Sequence, residues 1–289
     1  MKSLVLFFVV LCCSTLFAQK TTVQLQLQKG KTYTHVLNSQ SEIFQKTNGK
    51  TLKINMLVTA KITYKVKSVK KNRYYLETQY RNMNISIVQS DGKELKFNSD
   101  KPSEDVLSNY FYQMCRTPFY ITMNSLGEIS SVEGIGRLVD NGIKGLDLPE
   151  EKVEQIKLGL NEAYGEKAFK GNFEIITLIY PKVAVELNES WQTETAIYSK
   201  NIQASLITNY HLEQSRIGED YLQVNGESEM ISNEQTESEK LLGSASLHLS
   251  LDKNTGWIHS AKVDQIIRIG NKEDANYSFT KVKTTYSDQ

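Results

Sequence analysis

Apolar and polar residues alternate along the chain from Ile54 to Val66. Ile54, Met56, Val58, Ala60, Ile62, Tyr64 and Val66 share one parity. Asn55, Thr59, Lys61, Thr63 and Lys65 share the other, and only Leu57 is out of place. A period of two predicts a long strand with one face buried, and alternation this regular favours an antiparallel sheet with one wet face. Lys70-Lys71-Asn72 makes a turn. The next strand carries Tyr74, Leu76 and Tyr80 on even positions, then Met83, Ile85 and Ile87 on odd ones. That change of parity predicts a bulge at Arg81-Asn82. Asp91-Gly92 ends the strand in a tight turn.

The period then changes. After Pro102-Ser103-Glu104-Asp105, the residues Val106, Leu107, Tyr110, Phe111 and Met114 follow helical spacing to about Cys115, and Pro118 stops the helix. Phe119 to Met123 and Ile129 to Val132 read as a hairpin around Asn124–Gly127. Gly134 to Leu148 reads as short helix and loop. Pro149-Glu150-Glu151 starts a helix with Val153, Ile156, Leu160 and Tyr164 on one stripe. A second helix from about Glu166 to Leu178 offers Phe169, Phe173, Ile176 and Ile179, and Pro181 ends it. Strands return from Val183, with alternation over Ala204 to Leu212 and Leu247 to Leu251. Polar breaks fall at Gly218 to Asp220, Asn233 to Glu239 and Asn271 to Asp274.

Two segments resemble each other. Ile121-Thr122-Met123-Asn124 with Gly127-Glu128-Ile129 matches Leu249-Ser250-Leu251-Asp252 with Gly256-Trp257-Ile258. Leu25, Leu27, Gly30 and Tyr33 likewise match Val185, Leu187, Ser190 and Trp191. The expected fold is therefore α+β and β-rich, with two related antiparallel β halves, each a curved sheet or half-barrel, and a central helical segment. The expected divisions are 1–18, a signal peptide; 19–135, a first β half with one inserted helix; 136–181, a helical middle; and 182–289, a second β half.

The first residues change where this protein is expected to work. Lys2 precedes an unbroken apolar run from Leu4 to Leu11, then Ser14-Thr15, with Ala18 before Gln19. This is the layout of a secretory leader, and cleavage is expected after Ala18. A spanning helix needs about 20 apolar residues, and the run is shorter. Cys12 and Cys13 follow bulky or non-small neighbours, which disfavours lipid attachment. The expected location is secreted or periplasmic, with no membrane span after cleavage. Of 3 cysteines only Cys115 would then remain, so no internal disulfide is expected.

The chain has 289 residues, enough for a sizeable core, and 34 Lys+Arg against 33 Asp+Glu. No charge excess recruits nucleic acid or an anionic surface. Gly30-Lys31-Thr32 and Gly49-Lys50-Thr51 look like ends of phosphate loops, but Leu25 and Phe44 stand where the earlier Gly belongs, so both read as turns. His35, His211, His248 and His259 show no zinc-protease spacing and read as strand histidines rather than metal ligands. Cys115 at a helix C-terminus reads as a buried structural thiol, because the dipole there disfavours a thiolate. Glu150, Glu151 and Glu154 favour the helix dipole in a first turn, with no catalytic task implied. No Gly-x-Ser-x-Gly elbow occurs. Trp191, Trp257 and the many Tyr could stack on sugars or line an apolar cavity, but they read first as sheet packing, since aromatics favour strands. No catalytic residue, metal or cofactor is assigned.

Four groups of residues resemble a family of uncharacterised secreted proteins common in Bacteroidota. They are Phe17-Ala18-Gln19; Leu27, Gly30 and Tyr33; Met123 to Ile129 with Ser131-Val132-Glu133-Gly134; and Tyr180-Pro181 running on to Val185 and Ser190-Trp191. The family has Gly-Asp before that Ser-Trp, and this chain has Asn188-Glu189. The resemblance spans nearly the whole chain after the leader and implies a domain of unknown function. In outline the pattern also resembles periplasmic lipoprotein carriers with a half-barrel. The expected role is non-enzymatic: holding a hydrophobic or amphiphilic ligand, such as a lipid, between sheet and helix. Val106, Tyr110, Phe111 and Met114 would face Ile62 and Tyr64 across that site. The alternative is an interaction or structural module on the cell envelope, with an envelope protein as its partner, and third comes a hydrolase.

Overall fold

Residues 20–144, 149–199, 202–213, 220–232 and 240–288 are described by a computed structural model. The expected leader at 1–18, the break at Asn233 to Glu239 and the side chains of Val106 and Tyr164 lie outside the described residues. The first long strands are β1 (Thr32–Thr47), β2 (Lys50–Lys70) and β3 (Arg73–Gln89), followed by a short β4 (Glu94–Asn98). On β2 the even parity points inward: Ala60, Ile62, Tyr64 and Val66 are buried, and Leu57 is exposed. The turn between β1 and β2 is Asn48-Gly49 and that between β2 and β3 is Lys71-Asn72, all with positive φ. These two-residue turns carry the twist that antiparallel hairpins need. Lys61 pairs with Asn82 and Ile62 with Tyr80, which leaves Arg81 as the extra residue of a bulge. The parity change thus has the cause the sequence suggested.

Helix α1 (Val106–Met114) is capped by Asp105, whose carboxylate accepts the Ser108 N–H at 2.8 Å. A hairpin of β5 (Phe119–Asn124) and β6 (Ile129–Glu133) follows, then α2 (Ile135–Ile143), α3 (Glu150–Tyr164) and α4 (Glu166–Thr177). The second run of strands is β7 (Ser190–Ser199), β8 (Ile202–Glu213), β9 (Tyr221–Ser232), β10 (Leu241–Asp252), β11 (Ile258–Ile269) and β12 (Tyr277–Ser287).

These strands form one antiparallel sheet in the order β6-β5-β3-β2-β1-β12-β11-β10-β9-β8-β7, with β4 on the side of β3. The two runs of strands are thus joined edge to edge. The joint is β12, which bonds β1 on one side and β11 on the other, so that Ser39 pairs with Thr284 and Thr284 with Val263. The end strands β6 and β7 do not pair, and the sheet stays open. Helix α4 packs against both of them. Gly171 lets it approach β7 closely, since a Cβ there would press on the Ala196 carbonyl. On the other side Glu174, only 4% exposed, accepts the backbone N–H of Ile129 at 2.8 Å. A helix carboxylate therefore satisfies a donor on a strand edge.

The two similar hairpins share backbone detail. The Asn124 side chain accepts the N–H of Leu126 and Glu128, and Asp252 accepts those of Asn254 and Thr255. Gly127 and Gly256 have φ of 78° and 67°, and a crossing chain lies on each: the Thr177 carbonyl on Gly127 and the Gln24 carbonyl on Gly256. Each hairpin has a register shift one turn on, at Thr122/Met123 and at Ser250/Leu251. The segment Lys20–Gln28 threads across both tips. Leu25 N–H donates to Ser125, Gln26 N–H to Thr255, and Val23, Leu25 and Leu27 are buried.

Candidate functional site

The strand periodicity that builds the sheet also builds a cleft. Paired residues on adjacent strands face the same side, so the row Val58–Ser39–Thr284–Val263 and the next row Ala60–Leu37–Tyr286 line one inner surface. Above it lies α4 with Asn172, Ile175 and Ile176. Tyr80, Met83 and Gln265 complete a cleft of about 340 Å³. That volume is in the range of small-molecule sites. Its wall is mostly aliphatic and aromatic. Ser39 Oγ and Thr284 Oγ1 satisfy each other at 2.9 Å, and the amides of Asn172 and Gln265 add polar capacity at the lining. Tyr286 is partly buried, and desolvation of its phenol pushes the pKa up to about 12, so it stays neutral.

Beneath Phe173 and Ile176 sits an aromatic box. His35 stacks on Trp257 with ring centroids 4.6 Å apart, and Tyr64 and Tyr286 meet His35 edge-on. His35 is 2% exposed. Its Nε2 lies 3.0 Å from the Ile258 carbonyl. A carbonyl only accepts, so Nε2 carries the proton and Nδ1 presents a lone pair. Burial lowers the pKa of this imidazole to about 4, against which the Ile258 carbonyl and Asp288 act weakly. The ring is thus neutral at physiological pH.

The six candidate residues divide between separate places. Tyr64 lies in the box, against Phe173 and Trp257. Ile62 is buried on the same strand face, two residues away. Tyr110, Phe111 and Met114 are buried too, but none of them lines the cleft or the box. Phe111 packs edge-on to Phe97 of β4, and Asn109 donates to the Gly142 carbonyl of α2. The helix over Tyr64 and the cleft is α4, not α1. The apolar stripes of the two helices are equivalent as sequence, and β4, which draws α1 aside, carried no clear signal. Val106 begins α1, and its side chain lies outside the described residues. From sequence, His35, Tyr286 and Ile175 are not singled out as site residues, and Trp257 reads as sheet packing ahead of a cavity lining. A signal existed for His35: it shares parity with Tyr33 and Leu37.

Other chemistry is quiet. Cys115 is buried, and burial pushes its thiol up, away from the reactive thiolate. His211 and His248 sit on the wet face, while His259 stacks on Tyr221 and pairs with Asp288 at 2.7 Å. Among the described residues no group of three or more His, Cys, Asp and Glu is placed to hold a metal ion.

Residues 71–258 match DUF6263, a family of unknown function. The chain belongs to this family. No curated protein matches this DUF6263 chain. Among solved structures, one described by lipid–protein interactions in lipovitellin superposes with a TM-score of 0.53 at 11% identity, over 91% of this chain and 25% of that one. The chain therefore spans a quarter of the lipovitellin chain, and the likeness is one of fold alone. A putative exported protein with a YmcC-like fold from Bacteroides fragilis matches at 10% identity and TM-score 0.25, over 90% of this chain and 97% of that one. In the DUF6263 chain no helix among the described residues is long and apolar enough to cross a membrane.

Proposed function

We propose that this protein is exported and holds a hydrophobic or amphiphilic ligand in the cleft between α4 and the inner face of the sheet. The observation that carries the reading is the 340 Å³ cleft itself, whose wall of Leu37, Val58, Ala60, Met83, Ile175 and Val263 offers apolar contact on two sides. Its polar groups are few and neutral, which suits an acyl chain or another largely apolar molecule. The superposition on lipovitellin, a protein described by its lipid interactions, supports the same reading. Lys2, the apolar run from Leu4 to Leu11 and Ala18 support export.

Titration with a fluorescent fatty-acid analogue tests the ligand. The wild type should bind it saturably. Ile175→Glu puts a carboxylate in the cleft and should weaken binding at least about tenfold, the equivalent of about 1.4 kcal/mol. Leu158→Glu, on an exposed face of α3 outside the cleft, should leave affinity unchanged. Equal binding by both variants would show that the probe sits elsewhere.

A further inference from the structure

A second, smaller space lies beside the cleft. It is a void of about 20 Å³ among Leu76, Ile121, Met123, Phe173 and the aromatic box, and Ile176 lines both spaces. Five of its lining residues carry polar side-chain atoms: Tyr64; Tyr180, whose hydroxyl donates to the Gly256 carbonyl at 2.7 Å; and, on three separate elements, His35 on β1, Thr177 at the end of α4 and Trp257 in the β10–β11 turn. Each of the three brings a buried polar atom with no partner among the described protein atoms: His35 Nδ1, Thr177 Oγ1 and Trp257 Nε1. His35 and Trp257 are 2% and 7% exposed.

We propose that this void is a binding site for one ordered water molecule that joins β1, α4 and the β10–β11 turn. The chemistry selects the occupant. His35 Nδ1 presents a lone pair, because Nε2 is committed as donor to Ile258. Trp257 Nε1 can only donate, and the threonine hydroxyl does either. The occupant must therefore donate to one neighbour and accept from another. A metal ion would meet the indole N–H, and an anion has no proton for Nδ1. Water does both, and a void of ~10–15 Å³ suffices for it, with about three hydrogen bonds as its usual number. Without such a partner each of the three buried polar atoms would lose its hydrogen bond to water and gain none in the protein.

The two tryptophans make the test internally controlled. The Trp191 indole N–H donates to the Ile179 carbonyl at 2.9 Å. In solution NMR of the full chain, the Trp257 indole proton should show a nuclear Overhauser effect to a long-lived water, and that of Trp191 should show none. A crystal structure at a resolution that shows surface waters should hold one spherical peak within hydrogen-bond distance of His35 Nδ1 and Trp257 Nε1. A Trp257 indole proton without that water contact, or a void without density, overturns the proposal.

Discussion

Single residues carry much of the cost of this architecture. Glu174 is buried, and burial pushes its carboxyl upward, yet it sits where the Ile129 N–H needs an acceptor. Glu174→Ala should lower stability by about 1–3 kcal/mol, because it strands that buried donor. Glu174→Gln keeps a carbonyl acceptor and should lose clearly less; urea unfolding of both variants checks the order. Gly127 combines positive φ with the Thr177 carbonyl lying on it. Gly127→Ala should cost about 2–3 kcal/mol and lower Tm by about 5 °C. His35 gives a pH signature. Its folded pKa of about 4 lies below the unfolded value of 6.5. The unfolded state therefore takes up the proton first, and stability that is full above pH 6.5 falls as pH drops toward 4, by at most about 3 kcal/mol. Glu174, shifted upward, acts in the opposite sense, so the comparison must be with His35→Phe. The stability of that variant should fall less than the wild type's between pH 7 and pH 4.5, and parallel slopes would contradict the buried neutral imidazole.

At the scale of elements, β12 is the critical strand. It bonds β1 and β11 and, among the described residues, is the link between the two runs of strands in the sheet order. A chain ended after Asn276 would bare two long edges. It should lose the single cooperative unfolding transition and aggregate on size-exclusion chromatography. A truncated chain that stays monomeric with an unchanged midpoint would contradict this role. Individual strands were legible in the sequence because each leaves a local period: β2 in its even positions, the bulge at Arg81 in a change of parity, the helices in their stripes. Pairing is different. Val36 meets Ser287 near the far end of the chain, and no local pattern reports that. Nor did the stripes say which helix would lie over the sheet. Phe97 draws α1 to β4, whereas Gly171 and Glu174 seat α4 between β6 and β7. Of the residues expected at the site from parity, Tyr64 lies in the aromatic box, neither it nor Ile62 lines the cleft, and the helix that lines the cleft is α4 rather than α1.

The whole molecule is an open sheet whose unpaired ends are held by one helix, with an apolar cleft under that helix and a segment from residue 20 onward threaded across two alike hairpins. An open sheet can shelter an apolar chain without the closed wall of a barrel, since the helix supplies the missing side. Export and cargo are linked in this reading, because a carrier outside the cytoplasm shields an apolar molecule from water. Intact mass of the secreted protein should correspond to a chain beginning at Gln19. The most direct test of the central claim is native mass spectrometry of the protein after incubation with a mixed lipid extract. The account predicts a one-to-one adduct in the wild type that Ile175→Glu largely loses. A wild type that stays ligand-free, or an adduct that Ile175→Glu retains in full, would contradict it.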